Sequence, residues 1–269
     1  LKTIIQKIFI NYFIFISYYI IIVLQIKMNT RKIYKNTKAT NSQMIKVFLK
    51  RDSFIESVHN VHAVISDNKG RVLMRAGNKR LLTFIRSALK PFQAMAFISS
   101  GAYEKTKFDE KALAIACGSH LGYKYQAREV FKLLWNSELG VEDLKCPVPS
   151  GRKSRLEHNC SGKHAAFLAT CKKMNWPLNN YLESDHPIQV EINRRISELL
   201  GISPQSLITA KDDCGAPTFR LEISQISFLY DDISLIGIQS LPFNSLCMRI
   251  PTTPYFSLIW LLLISMFIL

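Results

Sequence analysis

The first 50 residues of the chain contain no acidic residue, although they include nine Lys and Arg. Charge of either sign is missing between Ile8 and Ile26, a run of 19 residues that is just long enough to span a bilayer. No small-residue cleavage site follows the run, which argues against a cleavable signal peptide. Five basic residues do follow it and would hold the rest of the chain on the cytoplasmic side of a membrane: Lys27, Arg31, Lys32, Lys35 and Lys38.

Residues 1–45 also fit a simpler interpretation than a membrane anchor. The chain begins with Leu, and its first 46 residues are mostly Ile, Lys, Asn, Phe and Tyr, whose codons are rich in A and T. Translation of DNA upstream of a gene produces such a composition, with Met28 or Met44 as the true start. We favour this interpretation and expect a cytoplasmic protein; tethering to a membrane through residues 8–26 is the alternative.

The rest of the chain lacks the marks of a nucleic-acid-binding protein. Of the net charge of +15, the basic first 50 residues supply nine units. Residues 61–220 hold 24 Lys and Arg against 15 Asp and Glu, a difference of +9, but these charges are scattered and no known nucleic-acid-binding motif occurs. We therefore expect no nucleic-acid partner.

Cysteine is too sparse for the disulfide scaffold of a small secreted domain, and no two cysteines form a CxxC pair. Reduced thiols in a cytosolic protein are the expectation, with two of them recruited to chemistry. The six positions are Cys117, Cys146, Cys160, Cys171, Cys214 and Cys247.

Residues 46–228 have the patterns of a mixed domain, and no internal repeat occurs. Residues 62–77 alternate apolar and polar side chains around Asn68-Lys69-Gly70, which predicts a β-hairpin with a positive φ at Gly70. The order is a strand hairpin followed mostly by helices, which predicts an α/β or α+β fold with a helical lobe. Helical spacing of apolar residues predicts helices within 108–120, 125–140, 162–174 and 187–201, and residues 147–154 read as a loop.

The segment HNCSGKHAAFLATC, residues 158–171, places a thiol, a glycine, a lysine and a histidine just ahead of a helical run. It is not a phosphate loop, because Glu157 stands where that loop needs its first glycine. Cys160 and Cys214 are soft ligands that suit zinc. A neutral Lys163 could complete the site, since a bound metal favours loss of its proton, and His164 is the more conventional ligand. The spacing leaves both open.

The stretch RSALKPFQAM, residues 86–95, contains Ser87-x-x-Lys90. Three residues apart on a helix, a serine and a lysine share one face, and a serine nucleophile needs such a base. Pro91 predicts that the helix begins near Ser87, at the positive end of its dipole, where a developing oxyanion is stabilised. Lys90 can act as a base only if burial lowers its pKa. Taken alone, the stretch is better interpreted as a helix cap followed by a surface lysine.

Six motifs of the chain resemble those of the asparaginase II family and occur in the same order. This family is the serine-and-zinc type of asparaginase, which is unrelated to the asparaginases with a threonine nucleophile. The resemblance covers about residues 50–228, and the fourth motif is the most specific. The motifs are ESVH (56–59), RSALKPFQA (86–94), CGSH (117–120), NCSGKHA (159–165), HPIQ (186–189) and DDCGAP (212–217).

The resemblance implies a fold similar to serine β-lactamases and transpeptidases, and hydrolysis of L-asparagine to L-aspartate and ammonia. It implies that Ser87 is the nucleophile, Lys90 its base and Ser119 a second catalytic serine. It also implies a zinc ion and a small-molecule substrate, and it is compatible with a homodimer. The implied zinc ligands are Cys160, Lys163 and Cys214, and the implied substrate contacts are His59, Arg86 and Asp212.

The chain departs from the family pattern in two places. Asp213 stands where the family has glycine, which adds a negative charge beside a thiol and a Cβ where a positive φ is expected. Beyond about Phe228 we recognise none of the family's glycine-rich segments, one of which carries another active-site lysine, and residues 229–269 read as an atypical apolar tail. A chain without that part is expected to aggregate or to show at most a trace of activity.

Two other functions compete with an asparaginase. One is a different Ser-x-x-Lys acyl-serine hydrolase that acts on peptides or β-lactams, although no KTG-like motif supports it. The other is a non-catalytic zinc-binding protein tethered to a membrane. Asparagine turnover by the purified protein separates the first function from both.

Overall fold

The computed structural model describes residues 40–230 except 68, 69 and 108, and for residues 40–42 the backbone alone. The apolar run 8–26 and residues 231–269 of the predicted C-terminal tail lie outside these residues. The first two residues of that tail, Leu229 and Tyr230, are described and are buried in the core. In the described part of the chain, no helix is both long and apolar enough to cross a membrane.

The N-terminal strands form two separate small sheets. Strands β2 (Ile45–Arg51) and β3 (Phe54–Val61) pair antiparallel, and the second sheet has the order β1 (Thr40–Ser42), β5 (Val72–Ala76), β4 (Ala63–Ser66). Strands β4 and β5 form the predicted hairpin, with φ of +70° at Gly70, so this prediction is confirmed outside the two undescribed turn residues. The β2–β3 pair is mostly exposed, including Phe54 and Ile55.

The helices of the described region pack around one central helix. They are α1 (Lys90–Ser99), α2 (Glu110–Cys117), α3 (Lys124–Asn136), α4 (Ser161–Met174) and α5 (Pro187–Leu200), and residues 223–230 are also helical. Helix α4 lies against α1, α2, α3 and α5, and every residue from Ser161 to Cys171 is buried. A helix without a polar face is expected in such a central position, because each side of it meets another element.

A third sheet sets the position of the candidate site. Its order is β6 (Leu82–Phe84), β8 (Pro217–Glu222), β7 (Ile208–Lys211), all antiparallel. Because β6 leads into the turn that carries Ser87 and β8 follows the turn that carries Cys214, pairing of these strands brings the two turns together. The pairing continues past β6, where the backbone N–H of Ile85 donates to the carbonyl of Phe219 at 3.0 Å.

The mixture of helices and strands confirms the predicted class, and each predicted helix is present. One boundary was wrong: α3 ends at Asn136 and not at Gly140. The chain turns at Glu138, whose φ is +57°, and Gly140 instead precedes a 3₁₀ turn at Val141–Asp143. The apolar spacing of Leu139 therefore reflects its packing in the core beyond the helix rather than a further helical turn.

Candidate active site

Ser87 lies in a 3₁₀ turn, Arg86–Leu89, that runs directly into α1. Pro91 occupies the first turn of α1, as predicted from its missing N–H. Arg86 has a positive φ of 49°, which is uncommon for a residue with a side chain. Its backbone N–H donates to the hydroxyl of Thr218 on β8 at 2.9 Å, which helps to hold this conformation. The sheet thus fixes the backbone just before the serine.

Lys90 is buried beneath the serine, with 1% of its surface exposed. Its Nζ donates to Ser119 Oγ at 2.6 Å and to the carbonyls of Gly118 and Asn159, each at 3.2 Å. Ser119 Oγ in turn donates to Ser87 Oγ at 3.2 Å. Burial lowers the pKa of Lys90, which is the condition for this amine to act as a base. The predicted three residues therefore meet in one hydrogen-bonded line, with Ser119 in the middle.

His120 anchors the turn that presents Ser119. Its Nδ1 accepts the backbone N–H of Gly122 at 3.2 Å, so its hydrogen lies on Nε2, which donates to Ser161 Oγ at 2.9 Å. Ser161 passes its own hydrogen to the carbonyl of Leu156 at 2.8 Å. Burial lowers the pKa of His120 to about 4, so the ring stays neutral. The motif CGSH contains both residues, but the sequence analysis assigned a role to Ser119 alone. The position of His120 directly after the predicted catalytic serine was the signal that could have identified it.

The two predicted sulfur ligands come together at the start of α4. Cys160 precedes the first turn of α4, Cys214 lies on the turn before β8, and both are buried. The Cys214 thiol hydrogen-bonds to Cys160, which lowers the pKa of Cys160 to about 6 and raises that of Cys214. Lys163, also buried, donates from Nζ to Cys214 Sγ at 3.2 Å. The predicted set Cys160, Lys163 and Cys214 therefore shares one location.

His164 lies beside the same sulfur without joining the predicted set. It is fully buried, its Nδ1 is 2.8 Å from Tyr181 Oη, and its Nε2 has no hydrogen-bond partner among the described residues. Burial lowers the pKa of His164 to about 4. Within the described residues, no group of three or more His, Cys, Asp and Glu side chains could hold a metal ion. A metal at this location would need the amine of Lys163 as well as the two thiols.

Arg86 and Asp212, the predicted substrate contacts, form an ion pair at 2.9 Å. Asp213 also pairs with Arg86, so one guanidinium serves two carboxylates. The expected strain at Asp213 is not found, because its φ is not positive; Gly215 takes the left-handed conformation of this turn, with φ of +84°. The departure from the family glycine thus changes charge rather than backbone geometry.

His59 is the predicted site residue that the described contacts do not join to the others. It lies exposed on β3, and within the described residues its ring hydrogen-bonds Ser57 at 3.0 Å and no member of the Ser87 group. Its role in substrate binding remains a prediction.

Comparison with known proteins gives one finding. A sequence model of a protein family described as L-asparaginase II matches residues 47–245. A search of curated proteins gives no match.

Proposed function

The chain belongs to the L-asparaginase II family, and from this we propose that it is an amidohydrolase that converts L-asparagine and water into L-aspartate and ammonia, with Ser87 as nucleophile. The observation that carries the proposal is the line of hydrogen bonds from Lys90 Nζ through Ser119 Oγ to Ser87 Oγ. A serine needs a base to attack an amide, and this line connects the serine to a buried amine.

The proton moves along this line. When Lys90 is neutral, Ser87 Oγ attacks the side-chain amide carbon, its proton passes to Ser119, and Ser119 passes its own proton to Lys90 Nζ. The same path returns a proton to the amide nitrogen, the C–N bond breaks, and ammonia leaves an aspartyl ester on Ser87. Water then attacks the ester and gives a proton through Ser119 to Lys90. The Ser87 Oγ–acyl bond breaks, aspartate leaves, and Lys90 returns a proton through Ser119 to Ser87 Oγ. Ser119 thus has a defined role as a relay, which the Ser-x-x-Lys spacing alone did not indicate.

Arg86 and Asp212 supply charges that match free asparagine. The substrate carries a carboxylate and an ammonium, which pair with a guanidinium and a carboxylate respectively. Both residues lie beside Ser87, since Arg86 precedes it in the chain and Asp212 is ion-paired to Arg86. The carboxylate of a bound substrate would share the guanidinium with Asp213, which lies 88% exposed and can swing into solvent.

Zinc fits the donor atoms near Ser87. Two thiols in mutual contact and a buried amine that meets a sulfur form a soft donor set that zinc accepts once the groups lose their protons. We assign Cys160, Lys163 and Cys214 as the residues that would hold it. Bound there, zinc would orient and polarise the substrate, while the nucleophile stays Ser87.

The proposed fold is that of serine β-lactamases and transpeptidases. Its support is local: a serine lies at the start of a buried helix, a lysine follows one turn later, and an antiparallel sheet lies alongside. Comparison of an experimental structure of the whole chain with those enzymes tests this part.

Turnover of asparagine by the purified chain tests the function. We expect a trace of activity that releases ammonia and aspartate in equal amounts, and its loss to the background rate in Ser87→Ala. Ser203→Ala, at an exposed position, serves as the matched control and should match the wild type. Acid quenching during turnover should leave an aspartyl ester on the peptide that contains Ser87. Activity of Ser87→Ala within about tenfold of the wild type would show that another group is the nucleophile.

A further inference from the structure

Asp213 contacts the arginine that is proposed to bind the substrate, and the proposed reaction gives this aspartate no role. Its carboxylate forms an ion pair with Nη2 of Arg86, the same nitrogen that meets Asp212 Oδ1 at 2.9 Å. Two carboxylates therefore converge on one nitrogen of a guanidinium whose residue directly precedes Ser87 in the chain. The carboxylate of an incoming substrate would be a third anion at this group.

The two aspartates are held differently. Asp212 has 9% of its side chain exposed, and its Oδ1 accepts the backbone N–H of Asp213 at 3.0 Å. The backbone N–H of Asp212 donates to the carbonyl of Ala216 at 2.9 Å, which fixes the residue in the turn before β8. Asp213, by contrast, has 88% of its side chain exposed. Asp212 is thus a fixed part of the site, whereas the Asp213 carboxylate can leave Arg86 for water when another anion binds.

The charge of Asp213 opposes a substrate carboxylate at Arg86 in two ways. If the substrate displaces the Asp213 carboxylate, the ion pair between Asp213 and Arg86 is lost. If both carboxylates stay, two like charges lie close together and repel each other. Because the pair is exposed to water, either effect is modest and amounts to about two- to fivefold in affinity. A ligand without a carboxylate at this position meets neither effect.

We propose that Asp213 is a specificity-determining residue that acts through Arg86: it weakens the binding of free L-asparagine and leaves the binding of derivatives with a masked α-carboxylate unchanged. This inference rests on the proposed function, which assigns the substrate carboxylate to Arg86. A glycine at position 213, as in the family pattern, would carry no such charge. The chain therefore discriminates less between free asparagine and its α-amide than it would with an uncharged residue at this position.

Affinities for two ligands test this role. L-asparagine is compared with its α-amide, which lacks the carboxylate, and the protein carries Ser87→Ala so that neither ligand is consumed. With Asp213→Asn added, calorimetry should show that L-asparagine binds about two- to fivefold more tightly, while the affinity for the α-amide stays the same. Asp213→Glu keeps the charge and should bind both ligands as the parent protein does. Asp52→Asn removes a negative charge from the exposed turn between β2 and β3 and serves as the control.

Chemical modification of Arg86 tests the ion pair without any substrate. Dicarbonyl reagents attack the neutral form of a guanidine, and a neighbouring carboxylate disfavours that form. In Asp213→Asn, Arg86 should therefore react about two- to fivefold faster, as measured by mass spectrometry of its peptide. Arg194 is the reference within the same sample, because its side chain is 47% exposed, against 53% for Arg86, and it also pairs with two carboxylates.

Several results would overturn the inference and leave the proposed function in place. Weaker binding of L-asparagine in Asp213→Asn would show that Asp213 attracts the ammonium group of the substrate instead, and unchanged binding would show that it has no effect. Equal tightening for both ligands would show a general effect on the site. An unchanged reaction rate at Arg86 would show that Asp213 does not hold the guanidinium in solution. If no protein binds L-asparagine, even though Arg86 reacts faster in Asp213→Asn, the proposed function is wrong and the inference about substrates falls with it.

Discussion

At the scale of single residues, Lys90 is the group on which the proposed chemistry depends most directly. Lys90→Met keeps most of the buried volume but removes the proton acceptor at the end of the hydrogen-bonded line. We expect the activity to fall to the background rate, with the circular dichroism spectrum unchanged. The substitution also leaves the carbonyls of Gly118 and Asn159 without this donor, so the melting temperature is measured in parallel. A folded Lys90→Met protein with activity within about tenfold of the wild type would remove Lys90 from the mechanism.

His120 makes the stability of the fold depend on pH. Burial lowers its folded-state pKa to about 4, from 6.5 for an unperturbed imidazole. Since the unfolded chain binds the proton more readily, the stabilising contribution is fully present above about pH 6.5 and is lost as the pH falls toward about 4. The loss should reach about 3 kcal/mol in the free energy of unfolding.

Denaturant unfolding of the wild type and His120→Gln at several pH values measures this contribution. His120→Gln is expected to be less stable at neutral pH, because it loses the acceptor for the Gly122 N–H, and to have a shallower decline in acid. Parallel curves for the two proteins would show that His120 is not the titrating group. Burial also lowers the pKa values of His158 and His164, which contribute to the wild-type decline, so the difference between the curves is the relevant quantity.

At the scale of elements, the contact between α2 and α4 requires a glycine. A Cβ at Gly162 would lie 2.1 Å from the carbonyl oxygen of Ile115, so the two helices could not keep their present separation. Gly162→Ala should therefore lower the free energy of unfolding by about 1–3 kcal/mol and the melting temperature by roughly 2–12 °C. Gly118→Ala is a milder control, because its Cβ would meet its nearest neighbour at 3.2 Å. Equal melting temperatures for Gly162→Ala and the wild type would show that the helices separate easily.

At the scale of the whole molecule, a metal would join two distant parts of the chain, since Cys160 begins α4 and Cys214 precedes β8. We expect one zinc per chain by elemental analysis of protein purified without chelator. A ligand that binds only the folded state stabilises it, so chelation should lower the melting temperature and added zinc should restore it. The double variant Cys160→Ala, Cys214→Ala should contain no zinc, whereas Cys117→Ala should retain it. Unchanged metal content in the double variant would remove this site from the proposal.

A cytoplasmic location and a homodimer remain predictions from the sequence.

The family and the mixture of helices and strands could be predicted from the amino-acid sequence alone, and candidate residues for the site could be named. Helices α2, α4 and α5 and the β4–β5 hairpin follow from local patterns of apolar residues, glycine and proline, because such patterns act within a few residues. The end of α3 was missed because Leu139 has the spacing of a helix residue but packs in the core from the following turn.

The contacts between these residues depend on packing and could not be predicted from local patterns. Lys90 and Ser119 are 29 residues apart in the chain, and Lys163 and Cys214 are 51 apart. Their contacts depend on the burial of α4 among the other helices and on the pairing of β6 with β8. Residue spacing in the sequence predicts neither. The same holds for the ring hydrogen of His120, which lies on Nε2 because Nδ1 accepts the backbone N–H of Gly122. Side-chain identity can be read along the chain, but a proton's position depends on every neighbour that packing brings to it.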